Sequence, residues 1–129
     1  MFTLDDKFAA ERMVIDAPPE VLYDLVADQT RMGELSSVCT GGFFDDDRHR
    51  DVGAWFTGRN SSGERRWETR CQVVAADRPN EVAWEMCGGR LLPPEDEPQP
   101  EVPHEAEEPV SRWRYTFRAV DGGTEVEES

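Results

Sequence analysis

Apolar and polar positions change period once along this chain. From Glu20 onward Val21, Leu22, Leu25 and Val26 recur at the spacing of one helix face, which predicts a short amphipathic helix running to about Ala27. Pro18 and Pro19 fit a first helical turn, where a missing N–H costs nothing, and they also stop a weakly alternating strand over residues 8–16. Asp28 or Thr30 can cap a second short helix from Met32 to Leu35. Beyond that point the period becomes two. Strands are predicted over residues 38–44, 53–60, 65–76, 81–87, 111–120 and 124–129, separated by Asn60-Ser61-Ser62-Gly63, Asp77-Arg78-Pro79-Asn80 and Asp121-Gly122-Gly123. Short connections make neighbours antiparallel, so the class is α+β: a strand, a helix pair, then a meander.

The alternation gives the sheet two unlike faces. Phe56, Gly58 and Asn60 share a side of their strand. Trp67, Thr69, Cys71 and Val73 alternate with Arg66, Glu68, Arg70 and Gln72. Val82, Trp84 and Met86 alternate with Glu81, Ala83 and Glu85, and Trp113, Tyr115 and Phe117 with Arg112, Arg114, Thr116 and Arg118. One face is aromatic and apolar, the other charged.

Residues 89–109 break the pattern. They hold six of the nine prolines and seven acids against one base, Arg90. So little apolar content predicts a mobile, solvated loop inserted between two strands of a single domain spanning 1–129. A recognition arm for a basic partner is the alternative. The whole chain carries a net charge of −14, which argues against nucleic acid, since phosphate binding needs clustered Lys and Arg, and against an anionic membrane surface. No run approaches the roughly 20 apolar residues of a membrane span, and Met1 to Ala10, with Asp5 and Asp6, does not read as a targeting signal. Cys39, Cys71 and Cys87 are odd in number and lack CxxC spacing, as expected of reduced thiols in a cytoplasmic protein. His49 and His104 stand in charged loops without metal-ligand spacing, and the run Asp45-Asp46-Asp47 lacks the spacing of a calcium loop. No metal or cofactor is expected.

Several stretches resemble the SRPBCC/START-like superfamily, in its polyketide cyclase/dehydrase-like, actinobacterial form. Ile15-Asp16-Ala17-Pro18-Pro19-Glu20-Val21-Leu22-Tyr23-Asp24-Leu25-Val26-Ala27-Asp28 is similar to the family's opening strand and helix, and Thr30-Arg31-Met32-Gly33-Glu34 to its second helix. Val52-Gly53-Ala54-Trp55-Phe56-Thr57-Gly58-Arg59-Asn60 and Arg112-Trp113-Arg114-Tyr115-Thr116-Phe117 resemble two of its strands, and Gly122-Gly123-Thr124-Glu125-Val126 follows in order. The resemblance implies a helix-grip (Bet v1/START-like) fold, a curved antiparallel sheet enclosing an apolar cavity, with a long C-terminal helix that is missing here. Related sequences commonly read Gly-Glu-Trp-Ser-Pro-Glu where this one reads Gly33-Glu34-Leu35-Ser36-Ser37-Val38, so Val38 stands in place of a carboxylate.

The resemblance implies a small apolar ligand, lipid-, polyketide- or aromatic-like, in a cavity on the concave face. The candidate lining is Leu35, Phe56, Asn60, Trp67, Thr69, Cys71, Trp84, Met86, Trp113, Tyr115 and Phe117. The same aromatics are also what an ordinary core would contain. Asn60 and Thr69 are the polar groups that would orient a ligand carbonyl or hydroxyl. No catalytic residue is assigned: Cys71 has no histidine beside it, and Tyr115 as a general acid would need a polarising partner that the sequence does not identify. The alternatives are a cyclase/aromatase-like enzyme acting by positioning, and a non-enzymatic interaction module. Without the closing helix, much of the aromatic face is expected to lie uncovered, which points either to a homo-oligomer that covers it or to a chain truncated relative to a longer functional relative.

Overall fold

The computed structural model describes residues 11–34, 38–100 and 102–129. The readings of Met1 to Ala10 and of Leu35 fall outside them. The elements run β1 (Glu11–Ile15), α1 (Pro19–Ala27), a 3-10 helix (Gln29–Glu34), β2 (Cys39–Phe44), β3 (Trp55–Ser62), β4 (Arg65–Asp77), β5 (Glu81–Leu91), β6 (Ser111–Val120) and β7 (Gly123–Glu128). The strands form one antiparallel sheet in the order β1-β7-β6-β5-β4-β3-β2, a meander with β1 docked against the last strand. This is the α+β helix-grip arrangement.

Local chemistry explains the elements. Pro18 caps α1 in an extended conformation and Pro19 opens it, while Leu22, Tyr23 and Val26 form the buried stripe. Asp28 then receives hydrogen bonds on Oδ1 from the Thr30 amide (3.1 Å) and hydroxyl (2.6 Å), so Asp28 caps the 3-10 helix. The turn after β3 is tighter than the serine-rich stretch suggests. Ser61 and Ser62 stay paired with β4, and Gly63, at φ +62, begins a two-residue turn.

The core occupies the concave face at the α1 end. Rings run across the strands: Phe44 to Phe56 at 5.4 Å between centroids, Phe56 to Trp84 at 5.9 Å, and Trp84 stacked on Tyr115 at 5.7 Å. Tyr23 from α1 meets Phe117 edge-on at 5.8 Å. The expectation of a largely uncovered aromatic face does not hold for these residues. Phe56, Trp84, Tyr115 and Phe117 are all buried, because the curled sheet turns its rings onto one another and α1 lies against them.

The charged face contains buried polar groups as well. Arg70 pairs with Asp45 through two hydrogen bonds (2.7 and 2.5 Å) and lies over the Trp55 ring at 5.1 Å, and Glu68 binds Arg90 at 2.6 Å. The Pro-rich segment is tied to this sheet rather than detached from it. The Leu92 amide donates to Arg66 O, the Glu107 amide to Cys87 O and the Val110 amide to Met86 O. Arg66 also donates to Pro93 O and Gln99 Oε1, and Arg90 to Val102 O.

A groove on the concave face as candidate functional site

Register determines the site. Gly58 on β3, Thr69 on β4 and Gly89 on β5 stand side by side across three strands, and Gly42 on β2 extends the row. Such a row is almost free of side chains, so it forms a trough in an otherwise aromatic surface. The next row toward the β3–β4 turn is Asn60, Trp67 and Leu91; on the other side stand Phe56, Cys71 and Met86. An open cavity of about 460 Å³ lies here, lined by Arg65, Trp67, Thr69, Met86, Gly88, Gly89, Arg90 and Leu91. That volume falls in the range of about 300–1,000 Å³ typical of small-molecule sites.

A bulge on β5 makes this possible. Cys71 pairs with Met86 and Thr69 with Gly89, so Arg70 alone faces both Cys87 and Gly88. Gly88, at φ +95, adopts a conformation that side chains disfavour, and the strand continues to Leu91. A side chain at Gly89 would meet the Glu68 carbonyl oxygen at 2.6 Å, so only glycine fits this close approach.

The structure divides the residues expected to line a cavity. Trp67, Thr69 and Met86 line the groove. Phe56, Cys71, Trp84, Tyr115 and Phe117 are buried within the core, with Trp113 half-buried against it. Asn60 is half-buried on the groove wall beside Trp67, and Leu35 lies outside the described residues. Arg65, Arg90, Leu91 and the two lining glycines, Gly88 and Gly89, were not anticipated. Arg65 was legible, since it continues the alternation of Trp67 and Thr69, whereas the glycine row requires the register to be known.

Polar chemistry is sparse. The Thr69 hydroxyl accepts a weak bond from Cys71 Sγ at 3.8 Å, and its floor position leaves it open to the groove. Burial pushes the Cys71 thiol up to about 12, so it remains protonated and unreactive near neutral pH. Tyr115 does have the partner that the sequence did not reveal. Its hydroxyl donates to Glu128 Oε2 at 2.6 Å, both residues being buried on the concave face. Burial first, then the Glu128 carboxylate, raises the Tyr115 pKa far above that of a free tyrosine. The proton therefore stays on the Tyr115 hydroxyl, donated to Glu128 inside the core and away from the groove. Among the described residues no three His, Cys, Asp or Glu side chains group to hold a metal, and no helix is long and apolar enough to cross a membrane.

Comparisons with known proteins agree with this architecture. A polyketide-cyclase-like protein from Corynebacterium glutamicum is 32% identical, with a TM-score of 0.55 over 93% of this chain and 61% of that one. The chain thus spans less than two thirds of that relative's length. A Mycobacterium smegmatis protein is 18% identical, with a TM-score of 0.62 over 92% of this chain and 68% of that one. The di-domain ARO/CYC of the steffimycin biosynthetic pathway is 14% identical, with a TM-score of 0.66 over 95% of this chain and 36% of that one. The last two likenesses concern the fold alone. A search of the curated proteins gave no match. Residues 7–129 match the family described as polyketide cyclase / dehydrase and lipid transport, and the chain belongs to that family, within the SRPBCC-like superfamily.

Proposed function

We propose that the chain binds a small, largely apolar molecule, of lipid, polyketide or aromatic character, in the groove over Gly58, Thr69 and Gly89. The observation that carries this reading is the side-chain-poor row, bounded by Trp67, Met86 and Leu91, in a sheet whose neighbouring rows are filled. An apolar body would cover Trp67 and Met86, and the Thr69 hydroxyl would supply one orienting hydrogen bond. Binding is favoured over catalysis because the buried tyrosine–carboxylate pair of Tyr115 and Glu128 lies in the core.

The test is titration with the neutral fluorophore N-phenyl-1-naphthylamine. Wild-type protein is expected to give a saturable enhancement. Trp67→Ala should weaken it about tenfold, the loss of most of one buried aromatic contact. Enhancement that is unchanged in both Trp67→Ala and Met86→Ala defeats the placement of the site.

A further inference from the structure

We infer that the ligand of this groove is an amphipathic anion, with its acidic group held by Arg65 at the β3–β4 turn end. The inference rests on reading the groove as the ligand site and adds the charge of the ligand and its direction. Acids outnumber bases two to one, 28 to 14, so an arginine should readily find a carboxylate. Among the described residues ten arginines do: Arg12, Arg31, Arg48, Arg50, Arg70, Arg78, Arg90, Arg112, Arg114 and Arg118. Of the other three, Arg59 lies over the Phe43 ring and Arg66 binds Pro93 O and Gln99. Arg65 is the remaining one, and among the described residues its side chain has no hydrogen bond, ion pair or ring contact. It is also the one of these three that lines the groove.

The second groove arginine does not compete for the anion. Arg90 is already neutralised by Glu68 at 2.6 Å and bonded to Val102 O. At the opposite end the Glu107 side chain packs on Gly88, in contact with His104 Nε2 at 2.8 Å. The groove thus has a cationic end at Arg65 and an apolar body at Trp67, Leu91 and Met86. Arg65 and Thr69 are four residues apart on one strand, about 13 Å at strand rise. A ligand reaching both needs a body of roughly eight to ten carbons behind its acid.

The test displaces N-phenyl-1-naphthylamine with three ligands sharing one chain: decanoate, 1-decanol and decyltrimethylammonium. At low salt decanoate is expected to bind about fivefold more tightly than decanol, the range of one exposed ion pair, and the cation most weakly. The preference should shrink as salt is added. Arg65→Gln should abolish it by weakening decanoate more than decanol. Arg118→Gln, which removes the same charge from the Glu125 pair, should preserve it. If no ligand displaces the fluorophore, the groove itself is not the site. If decanoate and decanol bind equally, or the preference survives Arg65→Gln, the groove reading stands and the anion inference is overturned.

Discussion

Tyr115→Phe removes one oxygen from the most buried aromatic among the described residues, and its consequence can be worked out beforehand. The lost hydroxyl donates to Glu128 Oε2 at 2.6 Å, with Tyr115 at 0% and Glu128 at 3% exposure. A hydrogen bond to a buried charged acceptor is worth about 1.5–3 kcal/mol, because the carboxylate left behind cannot recover the bond from bulk water. Spread over a domain of this size, each kcal/mol moves the melting midpoint by about 3–5 °C, so a fall of about 5–15 °C is expected. Glu128→Leu should also destabilise, but the double variant should be less damaged than the sum of the singles, since the hydroxyl and the carboxylate that share this bond are then both gone. The pH dependence has a definite sign. The folded pKa of Tyr115 is raised, so the folded state keeps its proton above pH 10 while the unfolded chain loses it. Stability from this source is full below about pH 10, the ordinary tyrosine value, and falls above it by up to about 1.4 kcal/mol per pH unit. Tyr115→Phe should remove its own share of that alkaline slope, leaving what the raised Tyr23 and the raised thiols of Cys39, Cys71 and Cys87 contribute. Urea unfolding followed by tryptophan fluorescence at pH 7 and between pH 9.5 and 11 measures both effects. A variant within about 0.5 kcal/mol of wild type at pH 7, with an unchanged alkaline slope, would refute the reasoning.

The Arg70–Asp45 pair should respond unequally to truncation, because the Arg70 side chain is 10% exposed and that of Asp45 is 38% exposed. Asp45→Ala strands a buried guanidinium and should lower stability by about 2–3 kcal/mol in chemical denaturation, while Arg70→Met should lower it by less. Thiol labelling at pH 8 should modify Cys39 before Cys71 and Cys87, which are buried, and equal rates for all three in the native state would contradict their placement. Hydrogen exchange should find the amides of Leu92, Glu107 and Val110 protected, since each donates to the sheet, whereas exchange as fast as in an unfolded chain would restore the mobile-spacer expectation.

The sheet was legible because alternation is local: Trp67 to Val73 and Trp113 to Phe117 announce their faces within a few residues. The inward position of Glu128 was equally legible, two residues beyond Val126 on the same face, but a carboxylate at a chain end is easily assigned to solvent. The groove was not legible, because it depends on pairing. Gly58, Thr69 and Gly89 are far apart in sequence and meet only when β3, β4 and β5 are set in register. Gly88-Gly89 looks like the start of a loop, and only its pairing with β4 shows a bulge inside a strand.

That bulge sets the phase of everything after it. Before it, even-numbered residues of β5 such as Trp84 and Met86 face inward; after it, the odd-numbered Gly89 and Leu91 do. In a chain one residue shorter at Gly88, the strand would continue without the half-step, turning Arg90 from the edge of the groove, where it pairs with Glu68, onto the concave face and Leu91 off it. A single codon lost or gained there would thus exchange an apolar wall for a cationic one without altering any other residue. Selectivity in this sheet can therefore change by slippage of its frame as readily as by substitution of its letters.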